Sequence, residues 1–333
     1  MIFGARIAGI GMYVPTNIVT NTELESKIDT TDEWIFTRTG IRERRVVASN
    51  QSTGDLAVAA CQDALRSADV KVTDIDMIIM ATCTGDTNSL PATATYVQNM
   101  LGATYIPSFD IAAACSGFVY GLDIAHQFIA TGRYSKILVV GAESMSRVIN
   151  WTDRTSCVLF GDGAGAAVVE QCAYGDGILA STIASNGAGA SLLHIPAGGS
   201  REPVCAANVG TPRQYLQMDG KKVYAFAIEI MGAAALSALD AAGLSVADID
   251  LFVPHQANIR IITSAAERMG LSMDKVFVNV DRYGNTSAAS IPIALAEAVS
   301  CGRLFPGAIV VTVGFGAGLT WGANVMRWGV VKA

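Results

Sequence analysis

A segment of this chain occurs twice. Thr73-Asp74-Ile75-Asp76-Met77-Ile78-Ile79-Met80, a turn into an apolar run, returns as Ala247-Asp248-Ile249-Asp250-Leu251-Phe252-Val253. Each copy follows an Ala-rich helical pattern (53–68 and 225–242), and Asp248 lies 174 residues after Asp74. A second pair follows: Thr131-Gly132-Arg133 with Ile137-Leu138-Val139-Val140-Gly141, and Cys301-Gly302-Arg303 with Ala308-Ile309-Val310-Val311-Thr312, the two Arg residues 170 apart. The two offsets differ by four residues, as when one loop changes length in an internal duplication. Each half reads helix, strand, helix, strand, helix, strand. Apolar strands alternating with helices call for mostly parallel sheets covered on both faces. The expected fold is α/β: two similar halves, 1–172 and 173–333, packed around a pseudo-twofold axis.

Composition narrows the function. Of the 333 residues, 51% are hydrophobic and 16% charged, which permits a large core. The net charge of −6 argues against a nucleic-acid binder that works through phosphate contacts. Seven Cys, an odd number with no C-x-x-C spacing, and three His form no zinc pattern or disulfide framework and fit a reducing compartment. Met1–Val14 lacks a signal-peptide layout, and no stretch reaches the uninterrupted apolar length of a membrane span. A soluble cytoplasmic protein is expected.

Three residues stand out chemically. In Asp110-Ile111-Ala112-Ala113-Ala114-Cys115-Ser116-Gly117-Phe118 a strand pattern (104–111) turns into a helical one (118–131), so Cys115 sits at a helix start. Unpaired N–H groups and the helix dipole favour a thiolate there. The alternative, one more small buried residue, is equally compatible with this stretch alone. His255, in Pro254-His255-Gln256-Ala257-Asn258, falls at the C-terminal end of the repeated strand, where open α/β sheets build their sites. His126, on an apolar helix face, reads as structural, and His194 carries no assignment. The 170-residue offset carries Cys115 onto Asn285, in Tyr283-Gly284-Asn285-Thr286-Ser287-Ala288-Ala289-Ser290, so a pseudo-twofold would bring the two together. Cys, His and Asn suit nucleophilic acyl chemistry. The polar stretch 30–45 adds Trp34 and four Arg (Arg38, Arg42, Arg44, Arg45); besides a solvated face, this composition suits a pocket for an anionic, ring-bearing ligand.

These motifs resemble a known family. DIAAACSGF (110–118), PHQANIRI (254–261) and GNTSAASIP (284–292), with TTDEWIFTRTGIRERR (30–45), LFGDGAGA (159–166) and GFGAGLTWGA (314–323), look like those of β-ketoacyl-acyl-carrier-protein synthase III, a condensing enzyme of the thiolase superfamily. The match runs along essentially the whole chain. It implies a thiolase-like fold with two duplicated halves in a layered αβαβα arrangement, and a homodimer. It also implies initiation of type II fatty-acid synthesis, with acyl-CoA and malonyl-acyl-carrier protein as substrates and no metal or redox cofactor. By resemblance, Cys115 is acylated, and the N–H groups of Cys115 and Ala317 form the oxyanion hole. His255 and Asn285 hold the malonyl thioester carbonyl. Trp34 and Arg154 sandwich the CoA adenine, Arg38 lies near its phosphates, and Gly220 and Asn258 line the pantetheine path. Gln256 and Arg260 belong to the carrier-protein docking patch, and Leu90 reaches the partner subunit's acyl pocket.

There are departures from the family pattern. Ala317 stands where many members have Gly, Leu90 where several have Phe, and Ala225 and Glu267 where some relatives place docking Lys residues. A related enzyme that loads a starter unit in polyketide or other specialised biosynthesis would share the triad. A non-catalytic binding paralogue should have lost Cys115, His255 or Asn285, and all three are present.

Overall fold

The computed structural model describes residues 2–329. Its first sheet contains β1 (Gly4–Tyr13), β2 (Met77–Ala81), β3 (Ser108–Ile111), β4 (Lys136–Ser144) and β5 (Asp162–Cys172), hydrogen-bonded in the order β1-β5-β4-β2-β3. The second contains β6 (Ile178–Ser185), β7 (Leu251–Pro254), β8 (Ile309–Gly316) and β9 (Thr320–Arg327), in the order β7-β8-β9-β6. The repeated segments form β2 and β7, each parallel to the strand of the second repeated pair, β4 or β8. The repeated Asp has a job in both copies. Asp76 accepts from the backbone N–H of Lys136 at 2.9 Å and Asp250 from that of Ile309 at 2.8 Å, pinning the starts of β4 and β8.

The sheets are mixed rather than mostly parallel. The pairs β4–β5, β5–β1, β8–β9 and β9–β6 are antiparallel. The connection Ala317-Gly318-Leu319 between β8 and β9 is too short for the crossover that a parallel neighbour needs.

Helices supply the other layers. α1 (Asp32–Thr39) lies in the polar stretch. α2 (Thr53–Ala68) and α3 (Thr93–Leu101) cover the outer face of the first sheet. α2 starts with a capping box, Ser52 accepting from the N–H of Asp55 and Asp55 accepting from that of Ser52. It buries Leu56, Ala60 and Ala64 against Ile78, Met80, Leu138 and Val140. α4 (Gly117–Ala130) and α7 (Ser290–Ser300) lie between the sheets and touch both. There Phe118, Leu122, Ile291 and Leu295 pack with Ile79, Val139, Val253 and Val310. α5 (Gly220–Ala241) and α6 (Ile259–Met269) cover the second sheet. The layering is αβαβα. By length and composition α5 is apolar enough to cross a membrane, contrary to the sequence expectation. It buries Val223, Ala227, Met231, Ala235 and Ala238 in the core on the second sheet.

The pseudo-twofold has a sharper register than the sequence offsets. Both central helices are entered through a short 3-10 turn whose first residue is left-handed although not glycine: Ala114 at φ 47° and Ser287 at φ 50°. Matching these turns makes Ala288 the counterpart of Cys115. Asn285 lies three residues before that counterpart, so the expected equivalence of Cys115 with Asn285 is corrected. Each turn rests on a glycine of the other half. A Cβ on Gly141 of β4 would lie 2.3 Å from the Ala288 carbonyl oxygen, and one on Gly314 of β8 would lie 3.1 Å from that of Cys115. Gly141→Ala is expected to cost about 2 kcal/mol of stability by urea denaturation. Gly187→Ala, which meets nothing within 4 Å, should stay within about 0.5 kcal/mol of wild type.

Candidate active site

Cys115, His255 and Asn285 line one pocket of ≈ 220 Å³, whose other walls include Leu159, Phe160, Leu193, Val223, Ile261 and Phe315. Cys115 comes from the first half. It sits in the Ala114–Ser116 turn, two residues before α4, which begins without a side-chain cap. The end of β8 closes over it. A Cβ on Gly316 would fall 2.5 Å from the Cys115 nitrogen, so only glycine lets strand and turn approach this closely. Thr320 ties the same parts together, with its hydroxyl 2.9 Å from the Ala113 carbonyl, 3.1 Å from that of Ala317 and 2.9 Å from the Ser116 hydroxyl. Ala317 keeps its place directly after β8 without a left-handed backbone, so replacing Gly there introduces no left-handed strain.

His255 and Asn285 come from the second half. The backbone N–H of His255 donates to Val313 at 2.7 Å, and its ring meets Phe315 edge-on at 5.7 Å. Nδ1 is 2.6 Å from the Ser290 hydroxyl, which itself accepts from the N–H of Gln256 at 3.4 Å. The serine proton can then go to Nδ1, the arrangement that puts the ring proton on Nε2. Nε2 is buried with no partner among the described residues. Asn285 donates its N–H to Leu159 and accepts from Gly161 through its backbone, while its Oδ1 accepts from the N–H of Ser287 at 2.8 Å. With Oδ1 engaged, the NH2 end is the side chain's remaining polar group.

Burial sets the charge state. It pushes the Cys115 thiol up to about 12; the Ser287 side chain partly opposes this, and the negative charge of Glu143 adds to it. The helix-start effect expected from sequence is therefore outweighed. Burial likewise pushes His255 down to about 3. The resting pocket holds a neutral thiol and a neutral imidazole.

Trp34, Arg38 and Arg154, expected on the nucleotide side, form a separate cluster at the rim. Arg38 and Arg154 place their guanidinium carbons 4.7 and 5.3 Å from the Trp34 ring centroid, and Arg154 is held by Asp29. Asn258 caps α6 through the N–H of Arg260 and reaches back to the Arg38 carbonyl at 3.0 Å, joining cluster to pocket. Gly220, the first residue of α5, lines the pocket. Arg260 is exposed, with its guanidinium 5.7 Å from the Tyr224 ring.

Two expectations change. Gln256 is 1% exposed and fully used inside: its amide donates to Pro254 and Phe277, and its Oε1 accepts from Asn279. It is a strut beneath His255 and cannot belong to a docking surface. Arg44 is fully buried and bonded to Val19, Asn21 and Val158, so that arginine of the 30–45 stretch braces the fold and binds no ligand. Leu90 is 88% exposed and does not line its own chain's pocket.

Residues 109–187 match the family described as 3-oxoacyl-[acyl-carrier-protein (ACP)] synthase III, and 239–328 match its C-terminal part. The chain is 51% identical over 324 residues to the beta-ketoacyl-[acyl-carrier-protein] synthase III of Caldanaerobacter subterraneus, spanning 97% of this chain and 98% of that protein. The chain belongs to the β-ketoacyl-acyl-carrier-protein synthase III family. The crystal structure of the Aquifex aeolicus synthase III superposes with a TM-score of 0.90 at 44% identity, covering 98% of this chain and 100% of the other. The priming β-ketosynthase of a polyketide biosynthetic pathway superposes at 0.91 with 36% identity, covering 98% and 97%. The thiolase-like fold and the acyl-transferring class of a condensing enzyme follow from this membership.

Sequence reasoning missed Ser290, Ser287, Phe315 and Glu143. Two lie inside the GNTSAASIP motif that was already singled out, but a hydroxyl's partner cannot be read from its spacing.

The shifts carry a sign. Below about pH 6.5 the unfolded chain protonates His255 and the folded one does not, so stability falls as pH drops from about 6.5 towards about 3. Above about pH 9 the unfolded chain ionises Cys115 and the folded one does not, so stability also falls as pH rises towards about 12. Alkylation of Cys115 by iodoacetamide in the ligand-free protein should still be accelerating at pH 10; a plateau below pH 8 would contradict the buried-thiol assignment.

Proposed function

We propose that the protein is the initiating condensing enzyme of type II fatty-acid synthesis. The observation that carries this is the meeting of Cys115, His255 and Asn285 in one mostly apolar pocket, beside a rim cluster of Trp34, Arg38 and Arg154. The acyl group enters as acyl-CoA. The adenine packs at Trp34 and Arg154, Arg38 faces the phosphates, and the pantetheine runs past Gly220 and Asn258 to the thiol. Cys115 gives up its proton as Sγ adds to the thioester carbonyl. The oxyanion is held by the N–H groups of Cys115 and Ala317, and CoA leaves as its thiol. Malonyl-acyl-carrier protein, drawn to Arg260, then places its thioester carbonyl between Nε2–H of His255 and the carboxamide NH2 of Asn285. Its carboxylate leaves as CO2. The resulting enolate attacks the acyl carbonyl on Cys115, the sulfur departs as a thiolate that takes up a proton from solvent, and β-ketoacyl-acyl-carrier protein is the product. A neutral imidazole suits this role, because it donates a hydrogen bond to the enolate oxygen without holding a charge beforehand.

Every bond in this scheme comes from the two substrates, so no cofactor is assigned. The halves are taken as 1–172, carrying the nucleophile, and 173–333, carrying His255 and Asn285. A homodimer accords with the exposed Leu90, Tyr96, Met100 and Tyr105 on one part of the first half, and a cytoplasmic setting with the unpaired cysteines. The second reading, loading of a starter unit in specialised biosynthesis, is favoured by the 36% identity to a polyketide priming enzyme.

The test is intact mass after incubation with acyl-CoAs of increasing length, for wild type and Cys115→Ala. Wild type alone should gain one acyl group, and short primers should label best if the pathway is fatty-acid initiation. A profile restricted to long or unusual acyl groups would favour the starter-loading reading. Absence of any adduct would overturn acylation from CoA.

A further inference from the structure

One buried acid in the core has no role in the scheme above. Glu143, near the end of β4, is 0% exposed. Its carboxyl accepts from the Thr82 hydroxyl at 3.3 Å, the Cys83 N–H at 3.0 Å, the Thr84 hydroxyl at 2.5 Å and, across the boundary between the halves, the Ser287 hydroxyl at 2.9 Å. Burial pushes its pKa up, and these four donors pull it back. A carboxyl buried this deeply is costly unless its oxygens are satisfied, and these four donors satisfy them.

Ser287 is where this acid meets the catalytic groups. Its hydroxyl donates to Glu143 and also faces the Cys115 thiol, while its backbone N–H donates to Oδ1 of Asn285 at 2.8 Å. The residue is held at φ 50°, a conformation a serine adopts only when its surroundings over-determine it. The Asn285 main chain is fixed independently by Leu159 and Gly161. Among the described residues, its carboxamide has the Ser287 N–H alone to set which way it faces. An amide can flip end for end, and only one orientation presents NH2 to a substrate carbonyl.

We propose that Glu143 is a positioning residue for the condensation half of the reaction: through the Ser287 hydroxyl it locks the left-handed turn whose N–H holds Asn285 with its NH2 towards the pocket. The proposal rests on the role given to Asn285 above and deepens it. It assigns the acid to one chemical step. Acylation of Cys115 uses backbone N–H groups near Gly316 and does not call on the carboxamide, whereas decarboxylation does.

The two half-reactions separate the cases. Acylation is read by intact mass after mixing with acetyl-CoA, and decarboxylation by CO2 release from malonyl-loaded acyl carrier protein, for wild type, Asn285→Ala, Ser287→Ala and Glu143→Gln. Glu143→Gln should lose at least about tenfold in CO2 release, following Asn285→Ala, while its acylation rate stays within about threefold of wild type. Ser287→Ala, whose hydroxyl also faces the Cys115 thiol, is read by CO2 release alone and should fall at least about tenfold. If Glu143→Gln does not fold, Ser287→Ala, which removes one atom, decides alone. CO2 release within about threefold of wild type in Ser287→Ala, with Asn285→Ala impaired, overturns the positioning role and leaves the reading of Asn285 standing. Parallel loss of both steps in Glu143→Gln also overturns it, because a general structural defect would act on both. Undiminished CO2 release in Asn285→Ala overturns the role of Asn285 itself, and the positioning role with it.

Discussion

At Gly141 and Gly316 the two halves touch backbone to backbone. The Ala288 carbonyl occupies the space a side chain would need on Gly141, and the Cys115 nitrogen the space it would need on Gly316. Much else rests on this close approach. It brings the start of α4 against β8 and the start of α7 against β4, and so fixes Cys115 from one half within the pocket of His255 and Asn285 from the other. A methyl group at either glycine would spread the turns by distances that matter for chemistry, since reacting atoms must meet at roughly 3 Å. The duplication is thus more than an evolutionary trace: it supplies two similar turns, of which one carries the thiol and the other holds the carboxamide of Asn285 through the Ser287 N–H.

The pocket is also electrostatically quiet before substrate arrives. Burial works against charge on the thiol, on the imidazole and on Glu143. Such a site gains by having its donors already pointed at the places where charge appears: Nε2–H of His255, the amide of Asn285, and the N–H groups near Gly316. The supporting bonds are short and buried. Ser290 bonds the imidazole at Nδ1, Gln256 braces Ser290, and Thr320 ties the Ala113 and Ala317 carbonyls together. The site is rigid in its frame and neutral in its resting charge.

Much of this was legible in the chain. The repeated Asp-containing segments became β2 and β7, the helix pattern 53–68 became α2, and Cys115 lies at the predicted strand-to-helix turn. What was missed has physical causes. Mixed sheets arise because β5 and β9 return antiparallel, and their small-residue patterns lack the long apolar runs that marked the other strands. The 170-residue offset placed Asn285 opposite Cys115, whereas backbone geometry pairs Cys115 with Ala288; the groups still meet because both turns enter the same crevice. Resemblance places Gln256 on the docking patch and composition places Arg44 on a solvated face or in a ligand pocket, yet both are buried and held by internal hydrogen bonds. Charge and polarity in sequence do not reveal which buried partners wait in space.

The central claim is that thiol and carboxamide belong to separable steps housed in separate halves. The direct measurement is CO2 release from malonyl-loaded acyl carrier protein by the Cys115→Ala protein, in which His255, Asn285 and their supports are untouched. The account predicts that this protein, unable to take up an acyl group, still decarboxylates the malonyl thioester, with CO2 released and no condensation product. No CO2 above the uncatalysed rate, in a protein whose urea midpoint matches wild type, would show that enolate formation depends on the thiol and that the division of labour between the halves is wrong.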